Sequence, residues 1–404
     1  MAGATIDHMI SLTILIAALL VAMTTYNGMF ATAIDYDRNR QVANKAVDLM
    51  NTICLSSGSP ANWGETNSSL FGFGLQDPDT GGYTLSPYSI MRLRPSDESQ
   101  FVSYNGTYYN NISTSYGDAI LTPIGNCIDY TAAAELLGIN RTYGFSVDIT
   151  PTLNVTVSPD PEASNLTLNV AVSGSGMPLS YAALNYYLFH INKTAGSDFP
   201  SITRYPTNPP GVAHTNSSGS VDIEFPISVD SVYAFVVYAS LGGVNGVGYY
   251  TCNTVDASTF VVPLIDGYED GYLNLILAHS WEFLHPGDEA TANYTASFYT
   301  LTSDFQLQQC VIPNSTGVLK SGAEQLYNTT RIYASETGLL VISYVDDDGA
   351  LGSVVVPWGV GTLGVSASFG GDPAGYDFVA TELRQVTIDG VSYHVKVSAW
   401  KLGS

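Results

Sequence analysis

Apolar positions along this chain follow two rhythms. From Met9 to Ile34, 26 consecutive residues carry no charge, and thirteen of them are Leu, Ile, Val, Met or Phe. They fall on every side of a 3.6-residue period, so no one face can be turned to a globular core. At about 1.5 Å per residue the run predicts a helix of roughly 40 Å, enough to cross a bilayer with some tilt. Beyond Ile34 the pattern becomes one-sided: Val42, Ala46, Leu49, Met50 and Ile53 recur at steps of three and four, while Asp35, Asp37, Arg38, Arg40, Lys45 and Asp48 take other positions. Ser57-Gly58-Ser59-Pro60 is a stop signal. Residues 1–58 therefore predict one helix, apolar all round in its first half and amphipathic in its second.

Burying each of those thirteen side chains is worth about 1.5–3 kcal/mol, so the segment left in water would forgo roughly 20–40 kcal/mol. An ordinary domain is held together by roughly 5–15 kcal/mol. The segment must lie in lipid or among copies of itself. A removable secretion signal does not fit, because Met1 to His8 holds no Lys or Arg, the apolar run is too long, and the helical pattern continues past it.

After the helix the rhythm changes. Residues 59–142 are rich in Gly, Asn, Ser and Tyr, with short strand-like runs such as Tyr88-Ser89-Ile90-Met91-Arg92-Leu93. A short helix is expected near 129–138, with Asp129 at its start and Gly138 as its stop, docking this region on the amphipathic half of the long helix. From Tyr143 the period is two: Phe145 to Thr150, Leu153 to Val157, Leu166 to Val172, Val221 to Phe225 and Val232 to Tyr238 alternate apolar with polar residues between Pro and Gly turns. About seven such strands over residues 143–254 predict an immunoglobulin-like β-sandwich. A second one is expected over 255–404, with Leu273 to Leu277, Gly338 to Tyr344 and Val391 to Val397 as its clearest strands.

Composition narrows the setting. The net charge is −23, yet only 12% of residues are charged, which argues against nucleic acid and anionic headgroups as partners. Disorder is excluded by 45% apolar residues and 27 tyrosines. Asn-x-Ser/Thr acceptors occur at Asn67, Asn105, Asn111, Asn140, Asn154, Asn165, Asn192, Asn216, Asn293, Asn314 and Asn328, all after the long helix. Ser and Thr make up roughly a fifth of the chain, so chance would give about five such acceptors. A surface carrying N-glycans is the expectation, against free generation of acceptors by a Ser/Thr-rich composition.

Cys54, Cys127, Cys252 and Cys310 form an even set, for which Cys54 with Cys127 and Cys252 with Cys310 is the expected pairing and free thiols the alternative. One signal points the other way. Arg38, Arg40 and Lys45 follow the apolar run, with no Lys or Arg before it, which by charge bias alone places the large C-terminal part inside the cell. The acceptors and cysteines outweigh it.

No catalytic pattern is present: there is no HExxH, GxSxG or GxxxxGK, no CxxC, and the six histidines are scattered. A non-enzymatic protein with no catalytic site, cofactor or resident metal is expected. Asp77-Pro78-Asp79-Thr80-Gly81-Gly82 begins like a calcium loop but reaches Tyr88 where a bidentate Glu is required, and Asp346-Asp347-Asp348-Gly349 reads as a hairpin turn.

A helix that is apolar and then amphipathic over Met9 to Ile53, followed by a glycosylated β exterior, resembles the archaeal type IV pilins of the type IV filament superfamily. The resemblance implies that a peptidase removes a short leader and that the exposed helix enters a bundle of identical helices. It also implies an acid near the fifth mature residue, a place that Asp7 takes if maturation begins at Gly3. Small residues including Ala18 and Ala22 would let helices approach closely. Ser11, Thr13, Thr24 and Thr25 can bond their own backbone carbonyls, and Asn27-Gly28 is expected to kink or melt. Arg38 and Arg40 would pair with Asp35 or Asp37 of a neighbour. The expected assembly residues are thus Asp7, Leu12, Leu15, Ala18, Leu19, Ala22, Phe30, Arg38 and Arg40. The partners implied are sister copies in a helical homopolymer, a membrane before assembly, and N-glycans. A single-pass anchored adhesin or envelope glycoprotein, and an anchored hydrolase, are the competing readings.

Overall fold

The computed structural model describes residues 2–66, 68–94, 101–104, 107–114, 117–123, 125, 127–139, 141–193, 196–207, 209–254, 261–269, 272–279, 291–302, 304–320, 328–333, 338–358 and 364–403. One long N-terminal helix is followed by a mostly β region of several sheets. The helix α1 (Ala2–Leu55) is unbroken over 54 residues. The melted turn expected at Asn27-Gly28 does not form: the Gly28 carbonyl accepts the Thr32 hydroxyl at 2.9 Å and the helix runs through. One glycine costs a helix only about 1 kcal/mol, which the turns on either side override.

The second half of α1 docks on a four-stranded antiparallel sheet in the order Ala367–Gly370, Tyr143–Pro151, Val391–Lys401, Val379–Ile388. Val42, Ala46, Leu49, Met50 and Ile53, spaced as the sequence predicts, share a core with Phe145, Val147, Ile149, Val391, Tyr393, Val395, Val397 and Ala399. Burying Val42, Leu49, Met50 and Ile53 is worth about 6–12 kcal/mol, as much as a whole domain's stability. The Arg384 guanidinium adds a hydrogen bond to Asn51 Oδ1 at 2.9 Å. On the sheet's other side, Lys396 and Asp148, direct register partners, form a half-exposed ion pair at 3.2 Å.

Between helix and strands, residues 59–94 and 127–139 wrap the same core. An aromatic series runs Trp63, Phe73, Phe369, Phe145, Tyr130, with successive ring centroids 5.3–6.4 Å apart. Tyr88 to Leu93, expected as a strand, instead contains a one-turn helix α2 (Pro87–Met91): Ser86 Oγ accepts the Ser89 N–H at 3.3 Å and Pro87 opens the first turn, a capping signature that outweighs the β-prone residues. Arg92 then reaches under the Trp63 ring and donates to the carbonyls of Trp63 and Thr66. The short helix α3 (Tyr130–Leu136) forms where expected, with Asp129 Oδ1 capping Ala132 N–H at 2.8 Å and Gly138 in the left-handed region.

The first sandwich is present between Leu153 and Cys252. A sheet in the order Ser220–Ser228, Asn165–Gly174, Leu153–Pro159 faces one in the order Gly211–His214, Ala183–Lys193, Val232–Leu241, Val244–Cys252. Leu166, Leu168, Val170, Leu184, Leu188, Phe235 and Val237 fill the core between them. Tyr143–Pro151, assigned to this sandwich from sequence, pairs instead with Ala367–Gly370 and Val391–Lys401. In the same way Phe101–Tyr104, Thr107–Thr114 and Gly117–Pro123 join Val261–Glu269, Tyr272–His279 and Asn328–Tyr333 in a six-stranded sheet. The sheets therefore cross the boundaries drawn at 142/143 and 254/255. Local alternation marks a strand but carries no record of its partner. A last sheet, in the order Leu307–Cys310, Thr291–Leu301, Gly338–Asp346, Leu351–Trp358, packs beside the sandwich.

Candidate assembly surface

Every residue from Asp7 to Arg38 is exposed, so the apolar half of α1 is left unburied by the β-rich head. Over 32 residues this projects about 48 Å. Leu12, Leu15, Leu19 and Phe30 are 57, 60, 56 and 66% exposed, and Asp7, Ala18, Ala22 and Arg40 also face solvent. The polar atoms of this half are largely satisfied from within. The hydroxyls of Thr13, Thr24, Thr25 and Thr32 donate to the carbonyls of Met9, Val21 and Gly28 at 2.8–2.9 Å, with Thr24 also reaching Leu20 at 3.1 Å. Such back-bonded hydroxyls let the helix enter an apolar medium at little cost. By length and composition the helix can cross a membrane.

Where α1 meets the head, the helix and the segment Gly375 to Phe378 enclose a cleft of about 370 Å³ lined by Asp35, Arg38, Asn39, Val42, Tyr376 and Asp377 among others, with Lys401 on its wall. Among the described residues Asp35, Arg38, Arg40, Lys45, Asp377 and Lys401 make no ion pair, although the chain has only 13 Lys and Arg. Asp37 Oδ2 accepts from Gln41 at 3.0 Å. No local motif announces this cleft, since its two sides lie more than 300 residues apart in the chain.

The acceptor asparagines are distributed over the β region. Asn154, Asn165, Asn216 and Asn314 are exposed. Among the described residues the Asn154 side chain makes no hydrogen bond, whereas Asn165 Nδ2 donates to Glu224 at 2.9 Å and Asn216 Oδ1 takes the N–H of Ser218 and of Ser220. Asn192 and Asn293 are half-buried, their amides placed against His190 and the Asp198 carbonyl. Asn67, Asn105 and Asn140 lie outside the described residues, as do the side chains of Asn111 and Asn328.

No disulfide joins Cys54, Cys127, Cys252 and Cys310, so the expected pairing is corrected. Cys54 Sγ lies in the core of α1, 3.5 Å from Met50 Sδ, while Cys310 Sγ lies 3.7 Å from the Thr300 hydroxyl. Burial pushes the Cys54 thiol up to about 11 against the opposing pull of Arg384, and the Cys127 thiol to about 11 against Arg92 and Arg94. In the acidic loops, Asp77 Oδ1 accepts the N–H groups of Asp79 and Thr80, and burial together with Asp79 and Asp77 pushes the Glu65 carboxyl up. Asp346 to Gly349 is the hairpin turn between Gly338–Asp346 and Leu351–Trp358, with Asp346 Oδ1 accepting Ala350 N–H at 2.8 Å. Among the described residues no three His, Cys, Asp or Glu side chains converge to hold a metal.

Helix and head define a β-rich protein carrying a long unsheltered apolar helix. No family model and no curated protein matches the chain. Solved structures similar to parts of it include the D0-D1 domain of intimin, at 14% identity over 55% of this chain and 98% of that one, with a TM-score of 0.21. A two-domain fibronectin type III segment of chicken tenascin matches at 12% identity over 52% and 99%, TM-score 0.17. The Yersinia pseudotuberculosis adhesin InvE matches at 9% identity over 51% and 58%, TM-score 0.18.

Proposed function

We propose that this chain is the structural subunit of an extracellular filament of the archaeal type IV pilin kind, used for attachment. Its apolar helices pack together as a central bundle, and its β head forms a glycosylated exterior. The observation that carries this reading is the exposure of every residue from Asp7 to Arg38, thirteen of them large and apolar, on a helix whose other half docks its apolar face on the head. A bundle of sister helices shelters the apolar half. It also accommodates the charges at Asp35 to Lys45, which would be awkward in lipid but can pair between copies. Contacts of this kind are heterologous and non-closing, so they propagate. The role is structural and not catalytic, with the membrane holding the subunit before assembly and no nucleic-acid partner.

A second reading is a single-pass anchored adhesin or envelope glycoprotein. The same helix length and internally bonded hydroxyls favour it, because they suit lipid equally well. Shearing cells that display the full chain and imaging the supernatant separates the two. Filaments containing this chain are expected; a chain that stays with the membrane fraction and yields no filaments refutes the subunit reading.

A further inference from the structure

The cleft at the root of α1 has the features of a seat for a second copy, and this inference rests on the filament reading. Asp35, Arg38 and Asn39 fall on the same helical face as Val42 and Ala46, which dock on the sheet, so the docking face runs on past the edge of the head. The head does not close over it. Instead, the segment Gly375 to Phe378 and Lys401 stand off to leave the 370 Å³ opening, with Tyr376 38% and Phe378 37% exposed. Two acids and two bases, Asp35, Asp377, Arg38 and Lys401, line it and none is paired among the described residues. On the opposite face of α1, about 180° round, stand Asp37, Arg40 and Asp48, all exposed. The cleft is continuous with the apolar half of the helix, so a sister helix lying against that half is led towards the opening.

We infer that the outward face of one copy's α1 enters the root cleft of the next, with Arg40 of the entering helix set against Asp377 and its acids against Arg38 and Lys401. The contact is heterologous: cleft on one copy, outward helix face on the other. It repeats at every subunit and latches the heads to the bundle through charge as well as apolar packing. Exposed single ion pairs contribute little, but a pair partly enclosed and repeated along a polymer shifts the assembly threshold several-fold.

The test uses full-length chain displayed on cells, with filament yield after shearing measured against salt concentration. Arg40→Glu and Asp377→Arg are each expected to lower the salt at which filaments dissociate several-fold, and Arg40→Glu combined with Asp377→Arg to restore it. Both sites are exposed, so circular dichroism of the head checks that folding is unaltered. Filaments of both single variants as salt-resistant as wild type, or a double variant no better than the singles, overturn the seat while leaving the filament intact. Absence of wild-type filaments overturns the filament reading and the seat together.

Discussion

Replacing Ala18 with Arg places one charge in the middle of the helix segment that must be sheltered. Ala18 lies 11 residues from Asp7 and 17 from Asp35, about 16 Å and about 25 Å along the axis, further than an arginine can reach to find water or an acid at either end. Its neighbours one turn away are Ile14, Leu15 and Val21, 60–65% exposed in the single chain and covered once helices associate. An arginine at the centre of an apolar helix costs about 3 kcal/mol even on the most lenient insertion scale. That is a loss of at least about a hundredfold in the assembly constant at each step. Val42, the first docked residue, is 24 positions away, about 36 Å, so the melting of the head should change by less than about 0.5 kcal/mol. The assay pairs filament yield after shearing with thermal unfolding of the head, and Ala18→Ser serves as the control that keeps assembly. Wild-type yield from Ala18→Arg would refute the central-bundle argument.

Three further outcomes follow from the head. Phe369, 3% exposed and in ring contact with Phe73 and Phe145, should cost about 3–5 kcal/mol in urea unfolding when changed to Ala, whereas Leu383→Ala, at a 63% exposed site, should cost under about 0.5. Because burial raises the Cys54 and Cys127 thiols from 9.0 to about 11, the folded state favours the protonated form; that stability is complete below pH 9 and is lost as pH rises to 11. About 3 kcal/mol per thiol is at stake, and Cys54→Ala should flatten the decline in unfolding free energy measured between pH 8 and 11. Asn154, exposed on Leu153–Pro159 and without a side-chain hydrogen bond among the described residues, should carry a glycan, so Asn154→Gln should reduce the intact mass by one glycan without moving the melting temperature; an unchanged mass would remove this site from the glycosylated surface.

Much of this architecture could be read along the chain because it depends on local periods. A 3.6-residue stripe from Val42 to Ile53 can be buried in only one way, and it lies in the core. Period-two runs such as Leu166 to Val172 become strands wherever they land, and Asp129 and Gly138 start and stop α3 through contacts within a few residues. Where two local signals competed, as at Tyr88 to Leu93, the Ser86-Pro87 cap decided in favour of a turn of helix. The even set of cysteines misled, because a count carries no distance: Cys54 sits in the buried core beside Met50, and no disulfide joins the four.

Pairing between distant strands was beyond reach. Tyr143–Pro151 alternates as well as any sandwich strand, yet it pairs with Val391–Lys401, some 250 residues on, because that sheet offers the apolar surface α1 must cover. The root cleft is of the same kind: Asp35 and Arg38 are ordinary helix charges until the chain returns Tyr376, Asp377 and Lys401 to their side. Sequence alone determined that an apolar rod precedes a β-rich body, since burial free energy is summed residue by residue. Only the tertiary structure decided which half of the rod the body covers and where the uncovered half begins, since that depends on contacts between surfaces brought together from opposite ends of the chain.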